Sequence, residues 1–120
     1  MVEAGAVDWY TVLPVGLEPE ARERLRGALA PLEAAVLAGA DDWTEALELA
    51  SAGTYDALVV GYPLGDAPMA GFLATLRRPT CPCRCAAIVL VTEEPHRSEA
   101  ETYLGRGANR VVTWNEAGPR

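Results

Sequence analysis

Short apolar segments alternate along the chain with longer segments in which apolar residues recur at helical spacing. Two of the short segments, 57–60 and 86–91, are apolar at every position, which is typical of strands covered on both faces. A weaker strand is predicted at 32–37, because its alanines have low β-propensity. The predicted strands cover residues 9–15, 32–37, 57–60, 86–91 and 110–114.

Helix boundary signals separate these strands. Pro19 and Pro95 lie where a first helical turn begins, Asp42 and Glu45 have the spacing of a capping box, and Gly105 follows the last periodic segment. The sequence therefore predicts four helices, between residues 18 and 31, 42 and 53, 68 and 76, and 95 and 105.

Strict alternation of strands and helices predicts a parallel sheet with helices on both faces. We therefore expect an α/β domain built on a doubly wound, five-stranded sheet. Only residues 115–120 follow the last predicted strand, too few for a fifth packing helix. Residues 1–120 are predicted to form one domain, and the alternative that this domain is the N-terminal part of a longer chain stays open.

Composition and charge limit both the class of protein and the kinds of partner that can be expected. The chain has 120 residues, 50% of them hydrophobic and 22% charged, which suits one globular domain with a buried core. The formal net charge of −7 repels phosphate backbones, so nucleic acid is not an expected partner. No apolar run approaches the roughly 18 residues of a membrane span, and no signal peptide pattern begins the chain. We expect a cytoplasmic protein with no membrane partner.

Cys81, Cys83 and Cys85 form the most unusual local pattern. Their odd number does not suggest a disulfide framework, which fits a reducing compartment. In extended backbone Cys81 and Cys85 would face the same way and could hold Cu(I) or Zn²⁺, with His96 as a remote further ligand. The spacing is not that of a zinc knuckle, so we expect one or two thiols to pack as small hydrophobes. No metal and no cofactor is expected, and His96 is expected to be a solvated residue of a first helical turn.

The order and spacing of the elements resemble the receiver domains of two-component response regulators. Tyr55-Asp56 before the third strand, Ile88-Val89-Leu90-Val91-Thr92 in the fourth, and Gly107-Ala108 before the fifth carry the resemblance, which covers roughly residues 9–116. It implies the strand order 2-1-3-4-5 with the family's fifth helix missing.

The resemblance also implies where a phosphorylation site would lie. Receivers end the third strand with the aspartate that accepts a phosphoryl group, and Gly61 holds that place here. The acidic pair that binds Mg²⁺ maps onto Gly16 and Leu17, with only Glu18 nearby to offer a carboxylate. Phosphoryl transfer needs a carboxylate nucleophile and carboxylates for the metal. The resemblance therefore points to a pocket that has lost this chemistry.

Three further family positions support the same interpretation. The family's lysine maps onto Trp114, the switch hydroxyl is kept as Thr92, and the aromatic switch position holds Val111. We therefore expect a degenerate receiver, or pseudo-receiver, which is not an enzyme and has no catalytic residue. The predicted degenerate pocket consists of Gly16, Leu17, Glu18, Gly61, Thr92 and Trp114.

The predicted function is phosphorylation-independent protein interaction or homodimerisation in bacterial signal transduction. The expected partner is another protein, a second copy, or a following domain of the same chain. Two alternatives stay open: a metal-binding or small-ligand-binding α/β domain, and a receiver that still accepts phosphate on a non-standard residue. The interaction surface implied by the family is Arg97, Glu101, Tyr103, Val111 and Trp114.

Three further expectations concern packing. Pro14 lacks a ladder donor, so it should be tolerated only at the end of the first strand. Without a fifth helix, Val12, Ile88 and Val111 should share a face that only one helix covers. Arg77, Arg78 and the row Arg22, Arg24 and Arg26 are expected to lie on solvated helix faces.

Overall fold

Five parallel strands form the sheet in the part of the chain that the computed structural model describes, residues 11–32, 35–36, 39–65 and 68–113. They are β1 (Thr11–Val15), β2 (Ala35–Val36), β3 (Ala57–Tyr62), β4 (Ala87–Thr92) and β5 (Arg110–Thr113). Their order is β2-β1-β3-β4-β5, which confirms the predicted class and topology. The predicted absence of a fifth helix concerns residues 114–120, which lie outside the described residues.

Four α-helices alternate with the strands over the same residues: α1 (Pro19–Leu29), α2 (Trp43–Ala52), α3 (Met69–Leu76) and α4 (Arg97–Glu101). The predicted capping box begins α2, because Asp42 Oδ1 accepts from the Glu45 N–H at 2.8 Å and Glu45 Oε1 accepts from the Asp41 N–H at 3.0 Å. The fourth helix is shorter than predicted, since a 3₁₀ turn, Glu94–His96, precedes it. None of the described helices has the length and hydropathy to cross a bilayer.

Alternation along the strands divides the core between the two faces of the sheet. The larger core lies under α2 and α3 and includes Leu58, Ile88, Leu90 and Phe72, each no more than 1% exposed. The smaller core lies under α1 and is built from Val12, Leu17, Val59 and Val91, with Ala21, Leu25 and Leu29 packed against it. Helices therefore cover both faces, as a doubly wound sheet requires.

The expectation that Val12, Ile88 and Val111 share one face is wrong. Register pairs Leu58 with Ile88 and Leu90 with Val111, so these side chains point to the same face of the sheet. Ile88 is fully buried in the larger core and Val111 packs against that core, whereas Val12 belongs to the smaller one.

Pro14 is the fourth of the five residues of β1 and pairs in register with Val59. Its carbonyl accepts from the Ala40 N–H at 2.9 Å, on the β2 side of β1. Because the N and C=O of one residue in a parallel strand face the same neighbour, the missing donor is directed away from β3. The proline is tolerated for this reason.

Gly39 passes close to Pro14. A Cβ at Gly39, which has φ 92°, would lie 2.6 Å from the Pro14 carbonyl oxygen, so this close approach requires glycine.

Arg77 corrects the expectation of a solvated helix face. Its guanidinium donates to the carbonyl oxygens of Gly107, Arg84 and Ala86, and to Asn109 Oδ1, over distances of 2.7–3.1 Å. Asn109 Oδ1 also accepts from the Ile88 N–H at 2.7 Å. Arg77 therefore joins the end of α3 to the loops that lead into β4 and β5, whereas Arg78 is exposed.

Replacing Arg77 by Ala should lower the free energy of unfolding by about 2–4 kcal/mol, because several charge-assisted hydrogen bonds are lost together. Arg78→Ala, the neighbouring exposed cation, is the matched control and should change it by less than about 0.5 kcal/mol. Urea unfolding followed by circular dichroism measures both values. Equal losses in the two variants would show that the Arg77 network contributes nothing specific.

Candidate functional site

A cavity of about 440 Å³ lies at the carboxyl end of the sheet. This is the edge at which open α/β sheets usually bind ligands. Five of the six predicted pocket residues line it, and the sixth, Trp114, lies outside the described residues. The five are Gly16, Leu17, Glu18, Gly61 and Thr92.

Gly61, the predicted counterpart of the receiver phosphoacceptor, lies in a sterically filled position. A Cβ added to Gly61 would lie 2.9 Å from the Gly16 carbonyl oxygen and 3.2 Å from Leu17 Cδ2. Leu17 itself is 8% exposed and belongs to the smaller core. Gly16 has φ 67°, and a Cβ there would collide with the Leu64 side chain. The loop after β1 therefore crosses the end of β3 at a distance that glycine permits and a carboxylate-bearing residue does not.

The carboxylates around the cavity do not form a metal site. Glu18, Glu20 and Glu93 line the cavity and all three are exposed. Among the described residues, no group of three or more His, Cys, Asp or Glu side chains is placed to hold a metal ion.

Two further residues at the site were not anticipated from the sequence. Arg24 and His96 line the cavity, although the row containing Arg24 was expected to face solvent. The sequence contains no lysine, since all ten basic residues are arginines. That count could have shown directly that the lysine of the receiver site has no counterpart anywhere in the chain.

Thr92 is 1% exposed, and its hydroxyl donates to the Tyr62 carbonyl at 2.8 Å. The hydroxyl proton is thus used within the loops that surround the cavity. The Thr92 side chain thus satisfies a backbone acceptor in this arrangement.

Tyr62 links the cavity to α4. Its ring and that of Tyr103 have centroids 5.8 Å apart with a tilt of 55°, and the Arg106 guanidinium carbon lies 5.9 Å from the centre of the Tyr103 ring. Burial, with smaller effects from Tyr103 and Glu99, raises the pKa of Tyr62 to about 12. Sequence analysis missed Tyr62, although an aromatic residue directly after the strand-end glycine was visible.

Only some of the predicted interaction-surface residues lie together on and next to α4. Arg97 Nε and Glu101 Oε2 form an ion pair at 3.0 Å on α4, and Tyr103 follows in the turn after it. Val111 instead packs against the larger core. Trp114 lies outside the described residues. Leu104, which was not among the predicted surface residues, is 43% exposed.

The cysteines lie at the opposite end of the sheet. The expected extended backbone is wrong, because turn hydrogen bonds join the Arg84 N–H to the Cys81 carbonyl and the Ala86 N–H to the Cys83 carbonyl. Cys83 is buried, as the packing interpretation expected, Cys81 is half-buried and Cys85 is exposed. His96 follows β4 whereas the cysteines precede it, so it is not near them. Burial raises the pKa of the Cys83 thiol.

Gly61→Ala should lower the free energy of unfolding by about 1–3 kcal/mol, because the added Cβ meets backbone at the end of β1. Gly71→Ala is the matched control: its Cβ would meet nothing within 4 Å in the middle of α3, and helix propensity should raise stability by about 0.5–1 kcal/mol. Chemical denaturation compares the two. A neutral or stabilising effect of Gly61→Ala would mean that the phosphoacceptor position is open.

Stability should fall as the pH rises from 10 towards 12. An unfolded tyrosine ionises near pH 10, whereas folded Tyr62 keeps its proton until about pH 12, so deprotonation favours the unfolded chain between these values. Tyr62→Phe should lose stability less steeply over this range. Denaturant midpoints at several alkaline pH values provide the measurement, and identical pH profiles for the two proteins would contradict the assignment.

Comparison with known proteins was made on both sequence and structure. No family model and no curated protein matches the sequence. The signal receiver domain of an HD domain-containing protein from Pseudomonas fluorescens Pf-5 matches with TM-score 0.71 at 20% identity, covering 91% of this chain and 85% of that one. The chemotaxis response regulator CheY4 of Vibrio cholerae matches with TM-score 0.73 at 19% identity, covering 88% and 87%.

The Thermotoga maritima response regulator TrrA, solved in complex with Mg²⁺ and BeF, matches with TM-score 0.66 at 23% identity, covering 87% of this chain and 85% of that one. At identities of 19–23% the likeness concerns the fold alone. The chain has the fold of the response-regulator receiver domains.

Proposed function

We propose that this chain is a pseudo-receiver, a non-catalytic protein module that acts in the cytoplasm in bacterial signal transduction without being phosphorylated. The observation that carries the proposal is the filled position at Gly61, where the Gly16 carbonyl and the Leu17 side chain occupy the space of a phosphoacceptor. The receiver fold supports a signalling role, and the altered site supports the loss of phosphotransfer.

The chemistry of phosphoryl transfer supports the same conclusion. The reaction needs a nucleophilic oxygen, a divalent metal ion and a cation that offsets developing charge. Gly61 offers no side chain, and Leu17 offers no ligand where the acidic pair would stand. The Thr92 hydroxyl donates to the Tyr62 carbonyl rather than facing an anion. The Gly61 and Leu17 positions therefore supply neither the nucleophilic oxygen nor the metal ligands that the reaction needs.

The surface around α4 is the proposed interaction site. Leu104 is the exposed large hydrophobic residue in the described part of the chain, and it adjoins Tyr103 and Arg106. Tyrosine and arginine are enriched among residues that dominate binding energy at interfaces. A tyrosine and an arginine beside an exposed leucine thus favour this surface over the polar helix faces.

A second copy of the chain is the partner that the charges favour. Arg97 and Arg106 occur on this segment together with Glu99 and Glu101. A two-fold contact brings the same patch of each copy together, so an arginine of one copy can lie opposite a glutamate of the other. The patch is therefore self-complementary in charge, which supports a homodimer.

Small-ligand binding in the carboxyl-end cavity is the second candidate function. Its volume of about 440 Å³ falls within the roughly 300–1,000 Å³ of ligand pockets. The cavity combines apolar Leu17 and Val91 with charged Glu18, Arg24 and Glu93. This mixture suits a small molecule better than a phosphoryl group.

Light scattering over a range of concentrations tests the first proposal. We expect a dimer whose dissociation constant does not change when Mg²⁺ and beryllofluoride are added. Leu104→Glu and Tyr103→Glu should each weaken it by about tenfold or more, equivalent to ~1.4 kcal/mol. Ala28→Glu adds the same charge at an exposed position of α1 and should leave the dimer intact.

Two results would count against this proposal. A dimer that forms only with Mg²⁺ and beryllofluoride would indicate a working phosphoacceptor. A monomer at every concentration would remove the homodimer and favour the small-ligand alternative.

A further inference from the structure

Two thiols converge on the C-terminal end of α2. Cys81 Sγ and Cys83 Sγ lie 4.0 and 3.7 Å from the same acceptor, the Ala50 carbonyl oxygen, and Cys83 Sγ also lies 3.4 Å from the Gly53 carbonyl oxygen. The Cys81 thiol is also among the smaller causes that raise the pKa of Cys83, after burial. Two cysteines separated by one residue thus present their sulfur atoms to one point.

The turn that carries these cysteines is held in place before any ligand arrives. The Cys81 N–H donates to the Arg78 carbonyl at 2.9 Å, and the Cys81 carbonyl accepts from the Arg84 N–H at 3.1 Å. Cys81 also lines a cavity of about 150 Å³ together with Ala50 and Arg78. The pair is therefore preorganised and has a route to solvent through the half-buried Cys81.

The surroundings favour a cation over a reactive thiolate. Ala50 lies in the last turn of α2 and Gly53 caps it, so their carbonyl oxygens belong to the negative end of the helix dipole. Nucleophilic cysteines typically lie in positive surroundings, such as helix N-termini. These surroundings oppose a free thiolate, so each thiol would lose its proton only as a metal cation binds and offsets the charge of the sulfur.

We propose that Cys81 and Cys83 bind one Cu(I) ion as a pair of thiolates. Each thiol releases its proton to solvent and forms one sulfur–copper bond, and neither copper nor sulfur changes oxidation state. Thiolates select soft ions such as Cu(I), which accepts two ligands, whereas structural Zn²⁺ sites need four. Within the described residues no third His, Cys, Asp or Glu joins the pair, which fits two-coordinate copper.

Charge at the site is also accommodated. Two thiolates and one monovalent cation carry a net charge of −1, and the positively charged residue Arg78 lines the cavity that Cys81 also lines. Cys85 is exposed and is not part of the convergent pair. This ligand set differs from the Cys81, Cys85 and His96 set that the spacing suggested, and it replaces the expectation that the chain takes no metal.

Anaerobic titration of the reduced full chain with Cu(I), in competition with a chromogenic Cu(I) chelator, tests the proposal. We expect one copper per chain and an X-ray absorption spectrum of two sulfur ligands. Cys81→Ser should weaken binding by more than the roughly 10- to 100-fold that outer-shell partners contribute. Cys85→Ser is the matched control and should bind like the unmodified chain.

Because Cys83 is buried, Cys83→Ala serves as the second ligand variant, with circular dichroism to establish that it folds. If Cys83→Ala does not fold, Cys81→Ser still tests the proposal, because Cys81 is only half-buried. Failure of the unmodified chain to compete for copper overturns the proposal. The proposal is also overturned if Cys85→Ser lowers the copper affinity as much as Cys81→Ser does. A stoichiometry of one copper per two chains, or oxidation of Cys81 and Cys83 to a disulfide instead of copper binding, would overturn it as well.

Discussion

The loop after β1 packs closely against the end of β3. This contact determines which atoms form the floor of the carboxyl-end cavity. Gly16 and Gly61 lie so close that a side chain at Gly61 would overlap the Gly16 carbonyl. Leu17 then places its side chain in the smaller core, against α1. The floor of the cavity is therefore also part of the hydrophobic core. A carboxylate introduced at Gly61 would have to displace packed backbone and a buried leucine.

The amino end of the sheet is held by polar contacts instead. Asp56 Oδ2 accepts from the Thr11 N–H at 2.8 Å, which joins the start of β3 to the start of β1. Arg77 and Asn109 join α3, β4 and the loop before β5 in the same way. Arginine suits this role because its planar guanidinium offers several donors in a fixed geometry. The central strands are thus fixed by hydrogen bonds at one end and by close backbone packing at the other.

Most of the fold could be predicted because its signals are local. The strands at 57–60 and 86–91 are apolar throughout, and Asp42 with Glu45 marks the start of α2. Within the described residues the second strand is Ala35–Val36, inside the predicted range 32–37, and Leu32 lies in a 3₁₀ turn instead. Topology also brings Gly16, Gly61 and Thr92 together, since parallel strands end at one edge.

The features that could not be predicted depend on register or on tertiary contacts. Which face Ile88 occupies follows from its pairing with Leu58, and no single-strand pattern reveals that pairing. The hydrogen bonds of Arg77 require two loops that are distant in sequence. The directions of the cysteine thiols depend on a turn before β4, where the sequence pattern predicted extended backbone.

The contacts between the cavity and α4 decide what kind of signal such a domain could transmit. Thr92 bonds to Tyr62, the Tyr62 ring packs on Tyr103, and Arg106 lies over Tyr103. A ligand shifts a conformational equilibrium only by its differential affinity for two states. In the proposed function the hydroxyl of Thr92 has no phosphoryl group to follow, so this chain of contacts holds the α4 surface in one arrangement. Regulation of a surface held in this way would come from the concentration of its partner rather than from chemistry in the cavity.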